Sequence, residues 1–235
     1  MCTVSFVCSN DKIIITSNRD EQLLRPAIEP KNYLINNKKI LFPKDPKAGG
    51  TWFATDENAN VLVLLNGADE KHQWKPPYRK SRGLIVIEII SANSPIRFWN
   101  EIDLNEIEPF TLVLFENKKL YQLRWNEVEK ETISLDTNKN YIWSSSTLYP
   151  KEIRIKRAEW FYEFLDEKEA ITENEILNFH RYTEDNDIEN GLVINRNNKL
   201  KTLSITQSVI EKNKVKLTHY DLISNDEFIN SFIIV

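Results

Sequence analysis

The order in which strand-like and helix-like segments follow one another constrains this chain more than any single motif. The blocks run strands, helices, strands, helices, strands, and most neighbouring strands are joined by hairpin-type turns. A doubly wound parallel sheet would instead alternate strands and helices one by one. Two antiparallel sheets packed between two helical layers use every block, which predicts an α+β sandwich. The first block holds strands at 3–8 and 12–17 around Ser9-Asn10-Asp11, a polar loop, and strands at 39–42, 51–55 and 61–65. Helices are expected at 82–92 and 95–102, then strands at 111–116, 120–125 and 141–143. Pro150 opens a second helical block, in which Ile153, Arg157, Trp160, Phe161, Phe164 and Leu165 recur at helical spacing. Thr172 and Glu175 form a capping-box signature before Ile176, Leu177 and Phe179. Strands at 192–194, 202–210 and 214–220 end the series.

No repeat, low-complexity run or Gly/Ser-rich linker divides the 235 residues, so 1–235 reads as one domain. A net charge of −4 and a pI near 5.6 leave no electrostatic footprint for nucleic acid or an anionic membrane. The most apolar run, 83–90, is interrupted by Glu88 and is too short to insert into a bilayer. The N-terminus lacks a basic, signal-like start, so a cytoplasmic, reducing location is expected, with Cys2 and Cys8 as free thiols. Within one strand those two cysteines lie roughly 20 Å apart at about 3.3 Å per residue, too far to bridge. Five glycines include neither a phosphate-binding loop nor a dinucleotide fingerprint, and His72, His180 and His219 are scattered. No metal site and no cofactor are expected.

Three places can carry chemistry. Gly49, Gly50, Gly67 and Gly83 are four of the five glycines; they read either as turns flanking strands or as points of close backbone approach. Asn66-Gly67 ends an apolar strand, where an amide side chain and backbone N–H groups can stabilise an oxyanion. Asn18-Arg19-Asp20-Glu21 follows another apolar strand, either as a solvated loop or as a polar cluster that the hairpin brings beside Cys2. Cys2 reads either as a small buried hydrophobe or, once Met1 is removed, as a thiol on the same residue as a free α-amine. Cys8 has no such amine and is assigned to the core. A rigid aromatic and proline segment, 74–78, fits a loop near the cleft mouth better than an interaction module.

The motifs Met-Cys-Thr at the start, Asn18-Arg19-Asp20-Glu21, Gly49-Gly50-Thr51-Trp52, Leu65-Asn66 and Ser81-Arg82-Gly83 resemble, in order, those of the NRDE family, the transport-and-Golgi-organisation type. That family is similar to N-terminal nucleophile hydrolases such as choloylglycine hydrolases and penicillin V acylases. The resemblance implies a four-layer αββα sandwich and hydrolysis of a non-peptide C–N amide bond in a small acylated substrate. It implies Cys2 as nucleophile, Asp20 orienting the α-amine and Asn66 serving the oxyanion. Asn18, Arg19, Trp52, Gly67 and Ser145 form the expected substrate-binding set. Three positions depart from the pattern: Ser17 stands where choloylglycine hydrolases carry an arginine, Ser145 where an Asn is common, and Leu203 where an Arg is common. A leucine cannot replace a guanidinium as donor. The resemblance therefore also admits a second function, a non-catalytic carrier that holds an apolar lipid, acyl or haem-like ligand in the same cleft.

Overall fold

The structure is a computed structural model that describes residues 3–234. β1 (Thr3–Ser9) and β2 (Lys12–Gln22) form a hairpin whose turn residues, Asn10 and Asp11, both take positive φ, as a tight two-residue connection demands. β3 (Ile28–Ile35), β4 (Lys38–Lys44), β5 (Phe53–Asp56) and β6 (Val61–Asn66) precede α1 (Arg82–Ser91) and α2 (Pro95–Glu101). β7 (Phe110–Glu116), β8 (Lys119–Trp125), β9 (Lys130–Leu135) and β10 (Tyr141–Ser144) lead to α3 (Lys151–Asp166) and α4 (Glu173–Tyr182). β11 (Asn195–Arg196), β12 (Leu200–Glu211), β13 (Lys214–Asp221) and β14 (Glu227–Ile233) follow.

One sheet runs β10-β1-β2-β12-β13-β14, with β11 beside β12; the other runs β3 to β9 in chain order. Neighbouring strands in both are antiparallel. α1 packs on β5 and β6 and α2 on β7, while α3 packs on β10 and α4 on β2 and β12. The result is the αββα sandwich. Strand alternation sorts β1 cleanly: Val4 and Phe6 enter the core between the sheets, and Val7 enters the core under α3 and α4. The β-branched run in α1 is helical because Ile85, Val86, Ile89 and Ile90 fall on one face against the sheet. Each such fully buried side chain contributes roughly 1.5–3 kcal/mol. Among the described residues, side-chain caps fix three of the four helix starts: Ser81, Ser94 and the Thr172–Glu175 capping box.

Four expectations need correction. β2 continues to Gln22, so residues 18–21 are buried or half-buried strand rather than a loop. β3, β9 and β14 are further strands, and each is a sheet edge. Edge strands have one solvated side and carry polar residues, which hides them from an apolar pattern. Leu192 and Ile194 are buried, but residues 192–194 lie outside a strand; the short β11 comes just after them. Cys8 is half-buried at the rim of the inter-sheet core, and burial raises its thiol pKa. Among the described residues no helix is long and apolar enough to cross a membrane.

Candidate functional site

The hairpin register pairs Thr3 with Asn18, so the start of β1 lies beside the Asn18–Asp20 segment. Alternation then sends Asn18 and Asp20 to the helix side of the sheet and Arg19 to the side facing the second sheet. Asn18 is fully buried. Its amide donates to the carbonyls of His180 (3.0 Å) and Leu192 (2.7 Å), which leaves its oxygen to accept from Nδ1–H of His180. Nε2 of that ring therefore accepts from the Ser5 hydroxyl at 2.7 Å. This neutral imidazole suits its burial, which, with the nearby Arg157 cation, pushes the His180 pKa down to about 3. Asn18 thus fastens β2 to α4 and does not line the cleft on the other face.

Asp20, 3% exposed, is gripped by two hydroxyls: Tyr149 donates at 2.7 Å and Thr202 at 2.6 Å. Arg157 stacks its guanidinium 3.5 Å from the Tyr149 ring centre and donates to the Thr3 hydroxyl at 2.6 Å. The same structural block therefore holds both the start of β1 and the acid beside it. β12 bulges between Thr202 and Ser204, which lets Thr202 reach Asp20 while Ser204 pairs with Arg19. The bulged residue is Leu203. Cys2, the expected nucleophile, lies outside the described residues.

Arg19 stacks over Trp52 at 4.4 Å and donates to the Arg25 carbonyl at 2.8 Å. Both side chains line a narrow cleft of about 70 Å³ together with Glu21, Arg25, Asp45, Asn66 and Arg82. Asp45 folds the floor: its carboxylate accepts from the N–H groups of Lys47 and Ala48 and pairs with Arg25 at 2.6 Å. Gly50 is required there because a Cβ would sit 2.2 Å from the carbonyl carbon of Gly83 at the start of α1. The Gly49-Gly50-Thr51-Trp52 and Ser81-Arg82-Gly83 motifs are thus one structure, tied further by Thr51 N–H to the Gly83 carbonyl at 3.1 Å. Trp52 Nε1 is buried without a partner among the described residues.

Asn66 ends β6 at the cleft, half-buried, and its side-chain amide makes no hydrogen bond to a described residue. Ser145 fixes it from behind by donating to the Asn66 carbonyl at 2.8 Å. Gly67 takes φ +83°, and a Cβ there would meet Ser146 Oγ at 2.3 Å. Its N–H donates to the Pro109 carbonyl at 3.0 Å, so the donor left over at this corner is the Asn66 amide. The cleft therefore gathers Arg19, Trp52 and Asn66. Asp20 is held across the sheet, while Gly67 and Ser145 sit on the far side of Asn66.

Sequence reasoning missed Tyr149 and Asp45, which come from loops without periodicity. It also missed the role of Arg157, whose signal is visible: a cation at an apolar helical spacing is buried only where hydrogen bonds await it. Among the described residues no group of three or more His, Cys, Asp or Glu side chains is placed to hold a metal ion.

Solved structures of the same fold include an arginine-to-leucine variant of the conjugated bile acid hydrolase from Clostridium perfringens. It matches with a TM-score of 0.64 at 10% identity, covering 99% of this chain and 92% of that one. A Caenorhabditis elegans N-acylethanolamine-hydrolyzing acid amidase ortholog matches with a TM-score of 0.61 at 11% identity, covering 88% and 92%. At these identities the likeness is one of fold, that of the N-terminal nucleophile hydrolases. No curated protein matches in sequence. A family model described as Transport and Golgi organisation 2 matches residues 1–225, which takes in every motif gathered around the cleft, and the chain belongs to that family.

Proposed function

We propose that the protein is an N-terminal cysteine hydrolase that cleaves the amide bond of a small acylated substrate after Met1 is removed. The observation that carries this reading is Asp20, a buried carboxylate clamped by Tyr149 and Thr202 on the strand beside the start of β1. In this mechanism the Cys2 α-amine, with a pKa of about 7.7–8.0, takes the thiol proton while sulfur attacks the amide carbonyl. The Asn66 amide donates to the oxyanion of the tetrahedral intermediate. Collapse breaks the C–N bond, the leaving amine takes the proton from the α-ammonium, and a thioester remains. Water, deprotonated by the α-amine, releases the acid and restores the thiol. Arg19 and Trp52 contact the substrate, and a reducing, cytoplasmic setting keeps the thiol free. The cleft lining of guanidinium, carboxylate and amide groups suits a polar amide better than the apolar ligand of a carrier.

The test combines intact mass with chemistry. Purified protein should lack Met1 and should form a thioester adduct, 1:1, with a reactive acyl ester probe. Cys2→Ala should abolish the adduct, and Asn66→Ala should slow its formation on the order of 100-fold. Retention of Met1 in fully folded protein, or an adduct that survives Cys2→Ala, overturns the reading.

A further inference from the structure

A second cavity, about 160 Å³, opens on the other side of Asn66. Leu65 and Gly67 line it, whereas Asn66, the residue between them, lines the first cleft. Its polar walls are two guanidinium groups, Arg124 and Arg154, and the hydroxyls of Thr111, Ser144, Ser145 and Ser146; no carboxylate is among them. The Nε atoms of both arginines are buried and have no partner among the described residues. A buried donor left unpaired costs roughly 1–3 kcal/mol, a cost that an acceptor reaching either nitrogen would recover.

Among the described residues the outer nitrogens are held only by solvent-exposed acids. Arg124 Nη1 pairs with Asp69 and, at 3.3 Å, with Glu131, while Arg154 Nη2 pairs with Glu70 at 3.4 Å. The Asp69 and Glu70 side chains are 66% and 76% exposed and adjacent on the segment that follows β6. Exposed pairs of this kind contribute about 0–1 kcal/mol, so they are easily exchanged. Two monoanionic carboxylates leaving and one dianion entering would keep the local charge unchanged. A phosphate monoester carries about −1.5 to −2 near pH 7 and offers three strong acceptor oxygens, which the forked donors of arginine match. A carboxylate carries a single charge and only two acceptor oxygens.

We infer that this cavity is a phosphate subsite and that the amide substrate carries a phosphate monoester. The identity of what the phosphate is attached to rests on the amide-hydrolase reading; the phosphate site itself does not. Ser145 joins the two, since its hydroxyl lines the cavity and donates to the Asn66 carbonyl.

Calorimetric titration of the Cys2→Ala protein with inorganic phosphate, sulfate and acetate separates the two ideas, because no turnover is needed. Phosphate should bind saturably with a Kd below about 1 mM, and acetate at least about tenfold more weakly. Arg124→Gln and Arg154→Gln should each weaken phosphate binding by about tenfold or more, with the Lys variants recovering part of the loss. Asp69→Asn combined with Glu70→Gln should tighten it severalfold, a gain that a structural role for the arginines would not produce. Absence of saturable binding, equal binding of acetate, or indifference to the arginine and acid variants overturns the subsite. Phosphate binding that persists while the Cys2 protein forms no acyl adduct overturns the hydrolase reading instead and leaves the subsite standing.

Discussion

The two faces of the sheet at residues 18–20 are built on opposite terms. On the helix face, Asn18, His180, Ser5, Arg157, Thr3, Tyr149, Asp20 and Thr202 form a buried polar layer joined by hydrogen bonds and a cation–ring stack. On the face toward the second sheet, the apolar core gives way to a cleft in which Trp52 Nε1 and the Asn66 amide have no partner among the described residues. Satisfied buried networks are rigid, because any alternative arrangement breaks several bonds at once. Donors without an internal partner remain available to a ligand. One face fixes the main chain and the other meets the substrate, and consecutive residues of a single strand supply both.

Acid should act on both faces, through His180 on the helix side and through His219, whose ring lies against Trp52 on the side facing the second sheet. The buried ring of His180 is held near pKa 3 and that of His219 near 4, both chiefly by desolvation, well below the usual 6.5. The unfolded chain therefore binds more protons than the folded one below about pH 6.5, and stability is lost as pH falls from there towards 4. Between pH 7 and pH 5 each ring should cost about 2 kcal/mol. Urea midpoints at the two pH values measure the sum, and His180→Gln should remove part of the slope. A flat profile would mean that the rings are solvated. Next in size, Asn18→Ala strips two carbonyls and the His180 ring of partners and should destabilise the fold by about 3 kcal/mol. The same unfolding experiment at pH 7.5 reads it, and a loss under about 1 kcal/mol would show that the layer is not cooperative.

Behind the cleft, space is the constraint, because Gly67 lies against the Ser146 and Thr147 side chains. Gly67→Ala forces a Cβ onto Ser146 and keeps a positive φ, so a loss of about 2 kcal/mol is expected. Urea unfolding at pH 7.5 measures it. A neutral Gly67→Ala would mean that the 144–147 segment moves freely away from Asn66.

What the sequence discloses follows the same division. Block order, the β1–β2 hairpin and the Thr172–Glu175 cap are local or periodic, and they are legible. Asn18-Arg19-Asp20-Glu21 reads as a polar segment after a strand, because buried polar residues in a strand resemble a loop when only hydrophobicity is followed. Parity alone separates Arg19 from its neighbours, once the strand is known to continue. The edge strands β3, β9 and β14 are hidden by their solvated sides. The Asp45 and Tyr149 contacts depend on loops meeting across long sequence separations, for which no pattern exists. The glycine motifs point to the cleft, and the reason for Gly50 emerges only as its contact with Gly83.

Trp52→Phe is the smallest expected effect and the sharpest test of the contrast. The indole is 1% exposed, so shrinking it leaves a void, and its stack with Arg19 weakens because the indole ring holds a cation best. Against this, the substitution removes a buried N–H that has no partner among the described residues, and an unpaired donor costs roughly 1–3 kcal/mol. The two terms nearly cancel, and the unfolding midpoint should move by no more than about 0.5 kcal/mol. Polar ligands that need the indole donor should nevertheless bind more weakly. A loss above about 2 kcal/mol would show that the N–H is satisfied in the folded protein, by water or by a group beyond residues 3–234. The cleft donors would then be bonded as fully as those of the helix face, and the division of labour within β2 would fail.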